Sequence, residues 1–154
     1  MLFILSGIGL VALYVGYLAF TWRSDVSTDK RFFQYIGNPI PVKDSSTLTL
    51  IKEETQYRFK NYRLDAHQSS TYDSPEIKTV KLYKPGDVVH FHKAQSYYSL
   101  FVGTTYYLIG RDTLDSGEVV EFEYYASFDH QPAIWETLDE FVARRDKERE
   151  QSYK

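Results

Sequence analysis

The first 22 residues, MLFILSGIGLVALYVGYLAFTW, carry no charged side chain, and no later stretch of the chain is comparably apolar. Between Leu2 and Trp22 the run matches the roughly 20 apolar residues that a helix needs to cross about 30 Å of hydrocarbon. It predicts a single transmembrane anchor, residues 1–22, that ties the chain to a lipid bilayer and leaves the rest on one side. A secretory signal peptide would need a basic start, a shorter apolar core and a small-x-small cleavage site. No basic side chain precedes this run, and it ends Leu18-Ala19-Phe20-Thr21-Trp22. A buried core helix would show a polar face, whereas Ser6 is the clearly polar residue before Thr21, and its hydroxyl can bond back to a carbonyl of its own helix. Tyr14, Tyr17 and Trp22 suit the aromatic belt at headgroup level. Ser6, Gly9 and Ala12 or Gly16 lie roughly on one helical face, as in small-xxx-small contacts between spans. Glycine is common in membrane helices generally, so this spacing alone does not require a helix partner.

Arg23, Lys30 and Arg31 follow the run, while only the α-amino group precedes it. Positive charge near a span end stays cytoplasmic, so the domain after the anchor is expected on the cytoplasmic side. The absence of cysteine is compatible with either compartment.

Residues 23–154 suit one domain with its own core. The whole chain has 18 basic and 21 acidic residues interspersed, for a net charge of −3. That balance argues against nucleic acid as a partner, because phosphate binding needs a concentrated basic surface. Aromatic content is high at 17%, with 14 Tyr and 10 Phe. Tyr and Phe favour strands, and Tyr favours interfaces through its apolar body and polar tip.

Residues 23–44 read as a juxtamembrane connector. Gly37-Asn38-Pro39-Ile40-Pro41 excludes a helix there, since proline lacks the amide donor and biases its predecessor towards extended geometry. Phe32, Phe33, Tyr35 and Ile36 form an apolar patch, set either on the headgroups or against the domain. Residues 45–128 then alternate with period two. Leu48, Leu50 and Ile51 open a strand, and residues 56–64 alternate around Tyr57 and Phe59. Residues 65–74 (DAHQSSTYDS) form a polar loop suited to binding. Ile77, Val80 and Leu82 lead to the turn Lys84-Pro85-Gly86-Asp87. Val89 and Phe91 follow, and a hairpin is expected around Gly103-Thr104-Thr105. After a turn at 111–117 (RDTLDSG), Val120, Phe122 and Tyr124 share one face, opposite Glu121 and Glu123. Five to seven short strands with tight turns predict an antiparallel meander, closed as a small barrel or packed as a sandwich.

Residues 129–154 predict an amphipathic C-terminal helix and charged tail. Pro132 suits a first helical position. Ile134, Leu138, Phe141 and Val142 make an apolar stripe that should pack on the sheet or cap a barrel mouth. On that reading Phe141→Ala costs on the order of 3 kcal/mol. Glu140–Arg144 and Arg144–Glu148 are spaced as i,i+4 ion pairs.

No catalytic or cofactor motif stands out. His90 and His92, two apart on a strand, have the spacing of a chelating pair, with Glu121 and Glu123 as possible oxygen donors. The bland alternative is a solvated strand face, and no motif places a third histidine. His67, Asp129 and His130 could join a serine, but triads are defined by geometry and not by adjacency. A nucleophile elbow, a phosphate loop, an H-E-x-x-H motif and a cysteine nucleophile are all missing. The adjacent pairs Tyr97-Tyr98, Tyr106-Tyr107 and Tyr124-Tyr125 each send one ring to either face of a strand. Tyr98, Tyr106 and Tyr125 are therefore candidates for a partner-binding row, and Leu138 and Phe141 for a partner-binding helix face. The expectation is a membrane-anchored, non-enzymatic interaction protein without cofactor, an accessory or assembly subunit of a membrane complex. The alternatives are a tethered small-ligand binder and a tethered immunity or inhibitor protein.

Overall fold

A computed structural model describes residues 22–52, 59–71, 73–99, 102–126, 128 and 130–152. Residues 1–21 of the expected anchor lie outside this set. Among the described residues no helix is long and apolar enough to cross a membrane.

Among the described residues eight strands form one sheet: β1 (Trp22–Asp25), β2 (Pro39–Pro41), β3 (Ser46–Ile51), β4 (Tyr62–Asp65), β5 (Ile77–Tyr83), β6 (Val88–Ser99), β7 (Gly103–Thr113) and β8 (Val119–Tyr125). One helix follows, α1 (Leu138–Ser152). The strand order is β1-β6-β7-β8-β4-β3-β5, with β2 also on β6. Two antiparallel units are visible in that order, β4-β3-β5 and β6-β7-β8. They join along β4 and β8, which run parallel, with Leu64 opposite Tyr124. The sheet is mainly antiparallel, as expected, with one parallel seam interrupting the expected meander.

The sheet is not a closed barrel, since β1 and β5 are its ends. It is nevertheless strongly curled. Lys81 and Tyr83 on β5 both reach the Asp112 carboxylate on β7, four places away in the strand order. Where a barrel would close, β2 lies against β6 instead. Proline at both 39 and 41 removes the amide donors that a further strand would need, so β2 ends the sheet. Extended geometry at 39–41 is what those prolines predict.

The stretch read as a connector contributes to the folded domain. Residues 22–25 are an edge strand on β6. Phe32 is buried in the core beside Ile40 and Val42. The core face of the sheet also carries Leu48, Leu64, Phe91, Leu108, Phe122 and Tyr124. Phe91 lies 5.9 Å from Phe122 and 5.8 Å from Tyr124 between ring centroids. Gly110 stands between Phe91 and Phe122 across three strands, and the Phe122 ring lies over it.

Two local expectations shift. The β6–β7 turn falls before Gly103, not over 103–105: Ser99 is opposite Gly103, which holds a positive φ of 80°. The C-terminal helix begins at Leu138, not at Pro132. Thr137 and Glu140 make a capping box there: the Thr137 N–H donates to Glu140 Oε2 (2.8 Å) and the Glu140 N–H to Thr137 Oγ1 (3.3 Å). That reciprocal pair satisfies amides the first turn leaves open. Ile134, expected on the helical stripe, lies in the preceding loop and is fully buried. Its N–H donates to the Tyr124 hydroxyl (3.0 Å), and its carbonyl accepts from the Lys43 N–H (2.9 Å).

Candidate functional site

The face of the sheet opposite the core is polar and aromatic. Strand alternation places Tyr97 on β6, Thr105, Tyr107 and Ile109 on β7, Glu121, Glu123 and Tyr125 on β8, and Arg63 and Asp65 on β4 on this side. Tyr107 and Tyr125 are direct cross-strand partners with ring centroids 5.5 Å apart. Phe59 extends the row, 5.3 Å from Tyr107 and 6.4 Å from Tyr97. The Arg23 guanidinium lies 4.9 Å from the Phe59 ring centroid, within cation–π range.

A cleft of about 720 Å³ opens on this face along the β4–β8 seam. Its walls include Arg63, Asp65, Thr105, Tyr107, Glu123 and Tyr125. The seam explains its position, because here two separately built antiparallel units meet. Glu123 is buried, and its Oε2 accepts the Phe59 N–H (2.7 Å) and the Lys60 N–H (3.2 Å). Arg63 Nε lies 2.7 Å from Asp65 Oδ1, and Thr49 Oγ1 donates to Asp65 Oδ2 (3.1 Å). Burial pushes the Tyr107 phenol above its usual range, and the nearby Glu123 charge adds to this. Tyr107 therefore stays a neutral hydrogen-bonding group at physiological pH. The chemistry offered is recognition by a guanidinium, phenols and a carboxylate. The volume falls in the range of small-molecule sites, which run to about 1,000 Å³.

Glu121 anchors a second polar group on the same face. It pairs with Lys60, Arg111 (3.1 Å) and His92 (3.2 Å). Lys60 chiefly, then Arg111, hold the Glu121 carboxyl below its usual range. Burial lowers His92, and the Glu121 charge opposes this. His90 and His92 are both exposed on β6, and His92 is engaged with Glu121. Among the described residues no three His, Cys, Asp or Glu side chains gather as metal ligands. His67 sits at a positive φ of 55°, with Nδ1 3.3 Å from Asp44 Oδ2 and Nε2 3.1 Å from the Ala133 carbonyl. Its partner in the suggested triad, Asp129, lies outside the described residues.

The tyrosine candidates fall on two faces. Tyr98 is opposite Thr104 and Trp22, on the side that carries Tyr106. Tyr106 packs on Phe32 at 5.3 Å, under the Arg31 guanidinium at 4.3 Å. Tyr125 belongs to the other face, so the aligned row is Tyr97, Tyr107 and Tyr125. Sequence shows that each Tyr-Tyr pair splits between faces; only the β6–β7–β8 register says which members align.

On α1 no residue is buried. Leu138 is 64% and Val142 48% exposed, and Phe141 is half-buried beside Arg144. The expected packing of Leu138 on the sheet is therefore absent. Arg144 docks the helix instead, through Glu136 (2.7 Å) and the Phe128 carbonyl (2.6 Å), while Glu140 pairs with Lys43 (2.6 Å). Arg144–Glu148 forms as spaced, at 3.1 Å.

Comparison with family models, with curated proteins and with solved structures finds no match.

Proposed function

We propose that the chain is a membrane-anchored, non-enzymatic interaction protein, an accessory or assembly subunit of a membrane complex, with its β domain on the cytoplasmic side. The observation that carries this reading is α1. It buries none of its own residues, yet it presents Leu138 and Val142 to the surroundings. Exposed aliphatics on a helix fixed at its base by ion pairs suit a partner's groove. The uncharged run before Trp22 supplies the anchor, and Arg23, Lys30 and Arg31 supply the orientation.

Purification of the full chain from mild detergent, with mass spectrometry of co-eluting proteins, tests it. Parent protein carries a defined partner, and Leu138→Asp with Val142→Asp loses that partner without a change in melting temperature. Elution alone, together with saturable binding of a small molecule, overturns the reading. A reporter fused after Lys154 that needs the cytoplasm should be active; digestion of the domain from outside spheroplasts would reverse the orientation.

The seam cleft supports a second reading, a tethered small-ligand binder. Arg63→Ala with Tyr107→Phe would then abolish ligand binding in calorimetry and leave co-elution intact.

A further inference from the structure

We propose that the Trp22 end of the sheet, including Tyr98 and Val102 beside the β6–β7 turn, sits in the interfacial layer of the bilayer that holds the anchor. The inference rests on the anchor reading above and goes beyond it by assigning a second membrane contact to the folded domain.

The apolar run ends at Trp22, which already lies in β1, opposite Tyr98. Consecutive Cα atoms are 3.8 Å apart, so no linker separates a span ending here from the sheet. Whatever surrounds residues 2–21 therefore lies against this end of the domain. Ser99 is paired with Gly103, and Val102 lies in the turn beyond them. At about 3.3 Å per strand residue, Val102 projects roughly 5 Å past the level of Trp22. The headgroup layer on one side of a bilayer is about 5–7 Å deep.

Side-chain character agrees with that placement. Trp22 is 62% exposed, Tyr98 42% and Val102 70%. Residues 96–110, SYYSLFVGTTYYLIG, contain no charged side chain. The turns at the other end of the sheet read KPGD and RDTLDSG. The β6–β7 turn is thus flanked by amphipathic rings and aliphatics suited to headgroup depth, whereas the turns before β6 and after β7 carry charge beside the exposed Val88 and Val119. A protein partner could also cover exposed apolar residues, but the anchor's exit point favours lipid.

The chain has no cysteine, so single labelling sites are available. Full-length Val102→Cys and Thr104→Cys, with Val119→Cys as the opposite-end control, are labelled with an environment-sensitive fluorophore. Each is reconstituted in phosphatidylcholine–phosphatidylglycerol vesicles with and without acyl-brominated lipid. Loss of fluorescence to brominated lipid at 102 and 104, with none at 119, is the expected result. Equal accessibility of all three sites to aqueous iodide overturns the proposal. Protection of 102 from iodide without quenching by brominated lipid also overturns it, in favour of a protein contact. Carbonate extraction of the same vesicles separates the two readings. Protein that is extracted defeats anchor and rim together; protein that is retained but unquenched at 102 defeats the rim alone.

Discussion

Gly110 is the residue at which the core tolerates least change. A Cβ built there would lie 2.2 Å from Phe122 Cζ, far inside van der Waals contact. Its backbone needs no glycine conformation, so the requirement is space for the Phe122 ring. Gly110→Ala should destabilise the domain by about 1–3 kcal/mol, read from urea or thermal unfolding. Asp112 is the second such residue. Burial would raise its carboxyl, but hydrogen bonds from Lys81 and Tyr83 outweigh this and hold it below the usual range. Asp112→Ala leaves the buried Tyr83 hydroxyl without its acceptor and should cost about 1–3 kcal/mol. Adding Tyr83→Phe removes the orphaned group, so the double variant should cost less than the sum of the singles. Additive losses would show that the pair does not bridge β5 and β7.

At the scale of elements, the C-terminal segment divides into a buried loop and an exposed helix. Ile134→Ala should cost about 2–5 kcal/mol, as expected of a fully buried aliphatic. Phe141→Ala should cost only about 1 kcal/mol, because a half-buried ring on α1 returns little area to water. Thermal melting of both variants checks the ordering. The attachment of α1 is also pH-dependent. Burial of Glu136 would raise its pKa, but the Arg144 guanidinium and the Ala133 N–H lower it below the usual 4.5. A carboxyl depressed in the folded state contributes stability that is present above its unfolded pKa and is lost as pH falls through the folded value. Helix amides should therefore exchange faster with solvent as pH drops below about 4.5, after correction for intrinsic rates, and Arg144→Ala should weaken that dependence, leaving the part carried by Glu140 and Lys43. A capping box at Thr137-Leu138-Asp139-Glu140 was readable in the sequence and outranks Pro132 as a start signal, because it supplies two hydrogen bonds where proline only avoids losing one.

For the whole molecule, the proposed anchor makes the plainest prediction. Full-length chain should stay in the pellet after carbonate or high-salt extraction; recovery in the supernatant with residues 1–22 intact would contradict it. Local chemistry alone determined much of the domain. Period-two alternation marked β6 and β8, proline pairs made residues 39–41 extended, and turn residues ended β5 at Lys84-Pro85-Gly86-Asp87. These are properties of a few neighbouring residues, which is why they are legible without a fold. Long-range pairing decided the rest. The parallel β4–β8 seam, the cleft upon it, the curl that brings Tyr83 to Asp112 and the choice of Tyr97, Tyr107 and Tyr125 as the aligned row all depend on which strand lies beside which. Where two neighbouring residues are both tyrosine, alternation does not distinguish the two faces of a strand, so the sequence read alone cannot say which ring joins the row. Tertiary structure likewise decided α1: Leu138, Phe141 and Val142 define a stripe, but Ile134 in the preceding loop enters the core and no residue of the helix is buried.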